Sequence, residues 1–298
     1  MKTALKIIAG LVGVFILGVV VIAVGLYLIS NSFINNSYEV AAERLQIPTD
    51  EESVVLGQHI AESRGCTDCH GENLAGDVFW NDGAMGTLYA SNLTGGRGGI
   101  GGTYTDADWV LAIRHGIGPD NRPLLFMPSH EYWYFNNRDL TALIAYLKSL
   151  PAVDNETPEA SIGPLARVLY MTGELPLVSA ELIDHTGRPP APEPGVTVEY
   201  GEYVAAACTG CHGPGLSGGS IPGTPPDWPP ASNITPGGDL ADWSEDDFIT
   251  ALRTGVTPSG YELSEFMPWQ TTAKMTDQEL KALWLYLQSL PARPTGQR

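Results

Sequence analysis

The longest pattern in the chain is an uncharged, almost wholly apolar run over residues 7–29, 23 residues in all. As a helix it would extend about 34 Å, enough to cross a bilayer. A cleavable signal peptide has a shorter apolar region, roughly 7 to 15 residues, and a small-x-small cleavage site. Tyr27-Leu28-Ile29-Ser30-Asn31 offers no such site. Lys2 and Lys6 precede the run, and the first charges beyond it are Glu39 and Glu43. The positive-inside bias therefore predicts a single-pass segment with a cytoplasmic N-terminus and everything after residue 30 on the outer face.

Beyond this run the apolar spacing is that of amphipathic helices. Leu140, Leu143, Ile144 and Leu147 fall at i, i+3, i+4, i+7, and Leu280, Leu283, Trp284 and Leu287 repeat the spacing, so each set predicts a helix with one apolar face. Thr276 with Glu279 supplies a capping box, and Pro151 and Pro291 follow the helix ends. An earlier helix is expected to open near Thr49, capped with Glu52, and to run up to Cys66. Another opens at Thr105 or Ser244, carries acids in its first turn and stops at Gly116 or Gly255.

These features form one repeat. Ala90-Ser91-Asn92-Leu93-Thr94 matches Ala231-Ser232-Asn233-Ile234-Thr235, Arg114-His115-Gly116 matches Arg253-Thr254-Gly255, and Phe126-Met127-Pro128 matches Phe266-Met267-Pro268. The chain divides into a membrane anchor (1–30), a juxtamembrane linker (31–49), a domain (50–152), a second linker (153–195) and a copy of the domain (196–298). In the second linker, proline-rich ends flank an apolar stretch over residues 165–183, which is expected to pack across the two domains. Lying on a membrane would call for a basic amphipathic face, and Arg167 is the one base there.

The net charge of −18 changes the list of partners. Residues 50–152 carry 13 acids and 6 bases and residues 196–298 carry 12 and 5, each netting −7. No segment offers the basic patch that nucleic acid demands. An acidic surface suits a redox partner with a basic docking face, or simply solubility. The glycine run over residues 95–99 does not open a helix after a strand, so no flavin or nicotinamide fingerprint is present; it reads as a flexible loop.

The chemistry is concentrated in two motifs that use every cysteine: Cys66-Thr67-Asp68-Cys69-His70 and Cys208-Thr209-Gly210-Cys211-His212. Cys-x-x-Cys-His is the pattern of covalent c-type haem attachment, two thiols for thioethers and the adjacent imidazole for the iron. A four-thiolate zinc site leaves His70 and His212 unexplained. A thioredoxin-like pair lacks its βαβ context, and a local disulfide would add little stability. Met127 lies 61 residues after Cys66 and Met267 lies 59 after Cys208, each inside Phe-Met-Pro. They are the candidate sixth ligands, and a thioether there raises the reduction potential. His130 is matched by Gln270 and His115 by Thr254, while His59 and His185 lack counterparts and read as solvated. Arg114 and Arg253 share one repeat position, which suits a haem propionate, a structural ion pair or a helix C-terminal cation.

With these motifs in place, each copy resembles a class I cytochrome c, and the whole is similar to a membrane-anchored tandem dihaem cytochrome c. The resemblance implies an all-α fold, an N-terminal transmembrane helix followed by two tandem class I domains, with two covalent haems c. It implies that the N- and C-terminal helices of each domain cross closely, with Gly57 against Tyr146 and Gly201 against Tyr286. It also implies haem domains on the periplasmic face of the cell membrane and an electron carrier without a small-molecule substrate. That carrier would serve a dehydrogenase or quinol-oxidising complex. A dihaem enzyme such as a peroxidase is the rival, and it would need one open haem site.

Overall fold

A computed structural model describes residues 2–188, 190, 192–224 and 227–297 of the chain; Pro189 and Ala191, in the proline-rich end of the second linker, lie outside the described residues. Helix α1 (Lys2–Ile34) is continuous and apolar, and it is exposed except at Ser30 and Ile34. The first domain follows with α2 (Glu51–Ser63), α3 (Cys66–His70), the strands β1 (Asp77–Asp82) and β2 (Gly86–Ala90), α4 (Asp106–Val110) running on as a π-helical turn (Leu111–His115), and α5 (Asn137–Ser149). The linker contributes β3 (Ser161–Ile162) and α6 (Pro164–Met171). The second domain has α7 (Val198–Ala205), α8 (Thr209–His212), α9 (Glu245–Thr254), α10 (Trp269–Thr272) and α11 (Asp277–Ser289).

The chain is mostly helical, with one addition to the all-helical expectation. β1, β2 and β3 form a small antiparallel sheet that is interrupted between Val78 and Trp80. That irregularity, in strands this short, hides the period-two alternation by which a strand is read from sequence.

Local sequence sets the helix ends. Thr105 and Ser244 close capping boxes with Asp108 and Asp247, Thr276 does so with Glu279, and Asn136 caps α5 through Asp139 N. The cap of α2 is Asp50 rather than Thr49: its carboxylate accepts from Ser53 N at 2.9 Å, a stronger acceptor placed one residue later. Gly116 and Gly255 end their helices at φ 66° and 73°, the left-handed geometry that glycine adopts without penalty.

Two helix crossings organise the domains, α2 on α5 and α7 on α11. A Cβ at Gly57 would overlap the carbonyl oxygen of Ala142 and sit 2.7 Å from Tyr146 Cβ; at Gly201 it would overlap that of Ala282 and sit 2.7 Å from Tyr286 Cβ. Glycine is what allows each pair of helices to touch backbone to backbone. A single buried cluster then runs through both domains, bridged by Tyr134 edge-on to Tyr203 with ring centres 5.2 Å apart.

The linker's apolar stretch packs mainly on the side of the first domain. Ala166, Leu175, Leu177, Val178 and Ala180 form a second cluster with Ile34 of the anchor and Leu111 and Ile117 of the first domain. The linker meets the second domain where Leu175 approaches Gly223. The exit of α1 beside the first domain supplies the apolar surface that draws the stretch to that side.

Candidate functional site

Each Cys-x-x-Cys-His motif folds as a single helical turn directly after its domain's first helix. Gly71 and Gly213, at φ 79° and 76°, release the chain after each histidine. His70 Nδ1 donates to Ser91 O at 2.8 Å, and His212 Nδ1 donates to Ser232 O at 2.8 Å. A carbonyl can only accept, so the proton of each neutral ring sits on Nδ1 and the lone pair on Nε2, the tautomer and orientation of a ligating histidine. Burial holds His70 below the usual histidine range, consistent with a neutral ring.

The loop that supplies these carbonyls is locked in the same way in both copies. Asn92 accepts from Thr94 N at 2.9 Å and donates to Val153 O at 2.8 Å; Asn233 accepts from Thr235 N at 3.0 Å and donates to Arg293 O at 2.8 Å. In sequence these asparagines are repeat markers only; their recurrence two residues before a threonine was the signal of a structural task. The following glycine run is not a flexible loop: Arg97 N donates to Asp154, and Gly96 and Gly98 press against the backbone at Val153 and Asn155.

In the first domain Cys66, Cys69 and His70 line the same cavity as Met127, among apolar groups that include Trp109 and Leu143. Phe126 holds a left-handed φ of 63°, its N donates to Leu177 O at 2.8 Å, and Ser179 Oγ donates to Met127 O at 2.5 Å. The methionine loop is thus positioned from the linker. In the second domain Met267 is half-buried against the core, its N donates to Ser264 O, and Phe266 stacks on Trp228 with ring centres 3.7 Å apart.

Burial pushes the Cys66 and Cys208 thiols up to about 12 and the Cys69 thiol up to about 11. Among the described residues no group of three or more His, Cys, Asp or Glu gathers to hold a metal ion, so the two cysteine pairs do not make one zinc site. The apolar cavity, the oriented imidazole and a thioether on its wall fit a covalently held haem.

The remaining candidates have other duties. His130 Nδ1 donates to Ser179 Oγ at 3.0 Å, in series with the Met127 carbonyl. His59 and His185 are not solvated. His59 bonds Glu279 of the other domain at 2.8 Å, and His185 donates to Ala180 O and meets His115 at 3.0 Å. Burial pushes His115 down to about 4, with His185 adding to the effect, so the ring is neutral near pH 7. Arg114 is buried and bonds Glu43, Phe135 O and Asn137; Arg253 bonds Ala273 O and Asp277. Both tie the end of one helix to the start of the last, the structural ion-pair role.

Each motif packs against the other domain. Thr271 of the second domain donates to Asp68, inside the first motif, at 2.8 Å. At the related position Glu131 of the first domain lies against Gly210, inside the second motif, where a Cβ would overlap its carboxylate.

The family model for cytochrome c matches residues 54–151 and 198–291. The chain is 28% identical over 284 residues to the cytochrome c subunit of a quinone alcohol dehydrogenase from Gluconobacter oxydans, covering 83% of this chain and 56% of that one. It is 28% identical over 272 residues to a subunit of nicotinate dehydrogenase from Pseudomonas putida, covering 80% of this chain and 21% of that one. A diheme cytochrome c-type protein of Cereibacter sphaeroides is 28% identical over 275 residues, with 79% and 85% covered. The chain thus spans about half the length of the alcohol dehydrogenase relative and a smaller share of the nicotinate dehydrogenase one.

Proposed function

Because this chain belongs to the cytochrome c family, with two of the family's domains in tandem, we propose that it carries two haems c and passes single electrons between a dehydrogenase or quinol-oxidising complex and a downstream acceptor. Haem c, when bound, supplies an iron that cycles between ferrous and ferric states. Cys66 and Cys69 hold one group and Cys208 and Cys211 the other, through thioethers. His70 and His212 would ligate the iron through Nε2, and Met127 and Met267 would supply the thioether ligands.

The observation that carries this reading is the repeated geometry: an imidazole fixed by a backbone carbonyl in both copies, and in the first a methionine on the wall of the same cavity. A histidine and a methionine at each iron would leave no coordination site for substrate, which favours a carrier over a peroxidase. The relatives named as parts of alcohol and nicotinate dehydrogenases support a place as the electron-transfer subunit of such a complex. The acidic surface suits a donor or acceptor with a basic face.

In this reading α1 anchors the chain in the cell membrane with its N-terminus in the cytoplasm and both domains on the periplasmic face. The contacts of Asp68 with Thr271 and of Glu131 with Gly210 join the two domains beside the motifs. A pyridine-haemochrome assay with potentiometric titration tests the proposal. Two haems per chain and no rapid carbon monoxide binding by the reduced protein are expected. One haem, or fast binding at one centre, would overturn it.

A further inference from the structure

Helix α6 sits at the mouth of the membrane span. Arg167 Nη1 donates to Ser30 Oγ at 2.9 Å, its guanidinium lies 4.5 Å from the centre of the Tyr27 ring, and its Nε donates to Ile162 O. Ala166, fully buried, packs in one cluster with Ile34. α1 is 33 residues long, or about 50 Å, against about 40–45 Å for a bilayer with its headgroups. Residues 27–34, at its end, therefore lie at headgroup level, where tyrosine is favoured. Whatever is bonded to them lies there too.

The opposite face of α6 is apolar and open, with Leu165 44% and Val168 40% exposed. We propose that α6 lies in the outer membrane–water interface, with Leu165 and Val168 seated among the acyl chains beside the anchor. A free-standing interfacial helix needs basic residues to find the membrane. Here the span has already met that cost by holding α6 at the surface, so a short apolar face suffices. Arg167 takes no part in lipid attraction; it joins α6 to the span.

The consequence reaches the first haem site. Gly163 N donates to Met85 O at 2.8 Å and Leu165 N to Ala84 O at 3.0 Å, at the turn between β1 and β2. β2 in turn lines the cavity of Cys66 and Met127 with Leu88, Tyr89 and Ala90. An embedded α6 would hold the first domain, rather than the second, at a fixed height beside the bilayer and so make it the membrane-side end of the electron path.

The inference rests on α1 spanning the membrane, and the test separates the two. In the holoprotein the native cysteines are consumed as thioethers, so a single introduced cysteine can carry a nitroxide. V168C, L165C, V21C in mid-span and E199C on the exposed surface of α7 are placed in phosphatidylethanolamine/phosphatidylglycerol nanodiscs. Collisions with oxygen and with a water-soluble nickel chelate are then measured, and an unchanged haem spectrum certifies each variant. The expected result is an oxygen-to-nickel accessibility ratio at 168 and 165 severalfold above that at 199. A ratio equal to that at 199, with 21 in lipid, overturns the inference and leaves the anchor standing. Protection from both reagents shows a protein cover and also overturns it. A water-exposed label at 21 removes the anchor, and the inference with it.

Discussion

Arg64 of the first domain and Glu279 of the second meet at 2.7 Å, with 4% and 5% of their side chains exposed. Glu279 also accepts from His59 at 2.8 Å. Its repeat counterpart, Asp139, accepts at 2.6 Å from Tyr203, which occupies in the second domain the place of His59 in the first. The interface therefore has an approximate two-fold logic, each last helix receiving a donor from the other domain's first helix. Removing one partner of a buried pair typically costs about 3–5 kcal/mol, because the other charge is left uncompensated. Arg64→Met should lower stability by an amount near the bottom of that range, since His59 remains; urea unfolding of the holoprotein measures it.

The same pair sets an acid limit. Burial alone would raise Glu279, but the His59 bond and the Arg64 charge hold it well below the ordinary carboxylate range. A carboxyl depressed in the folded state contributes stability that is complete above its unfolded value, about 4.5, and is lost as pH falls below that. Unfolding midpoints should therefore begin to drop near about pH 5 and keep falling until pH passes the depressed folded-state value. Glu279→Gln should be less stable at pH 7 and show a flatter profile. A profile unchanged by the substitution would mean that the pair does not hold the domains together.

Glu131 has the opposite sign. Burial pushes it up to about 7, so the folded state holds its proton more tightly than the unfolded chain, and stability falls as pH rises from about 4.5 to 7. Glu131→Gln should raise the melting temperature at pH 8 and leave it nearly unchanged at pH 4. The pairing with Gly210 gives a second measurement. Gly210→Asp alone places a carboxylate against Glu131 and should destabilise, whereas Gly210→Asp with Glu131→Thr recreates the Asp68–Thr271 pairing and should recover most of the loss.

The parts of the molecule legible in sequence are those determined locally or by the repeat. The caps at Thr105, Ser244 and Thr276, the glycine stops at Gly116 and Gly255 and the boundaries of the last helices follow from short-range chemistry that no tertiary contact overrides. The placing of His59 and His185 was not legible, because their partners lie 220 and 70 residues away in the chain and no local pattern signals them. The same holds for Ser179, a serine in a linker whose hydroxyl holds the Met127 carbonyl.

Gly57 and Gly201 test the helix crossings. A methyl group at either position would overlap a backbone carbonyl of the facing helix, which cannot rotate away as a side chain could. Overpacking of this kind typically costs about 1–3 kcal/mol. Gly57→Ala should loosen α2 from α5 and so disturb the motif that follows α2, while Gly201→Ala should act on the second site alone. Soret-detected unfolding would report each loss, and resonance Raman signatures of the two centres would show which was affected.

The methionine loops differ in what holds them, and that difference gives the sharpest test of the ligand assignment. The Met127 loop has bonds from Ser179 and Leu177 of the linker in addition to its neighbour Ser129, whereas, among the described residues, Met267 depends on its own neighbours Ser264 and Trp269 alone. Met127→Ala should open the first centre to carbon monoxide and remove about half of the sulfur-to-iron charge-transfer absorption of the oxidised protein, and Met267→Ala the other half. Met127→His should instead keep six-coordination and lower one of the two midpoint potentials, because thioether ligation favours the ferrous state more than imidazole does. Ser179→Ala leaves all ligands in place but removes the linker's bond to the Met127 carbonyl, which then keeps only Ser129 N, so it should weaken the first centre's charge-transfer band without altering the second. Were the band untouched by both methionine-to-alanine changes, the sulfurs would be packing groups and the sixth ligands would lie elsewhere.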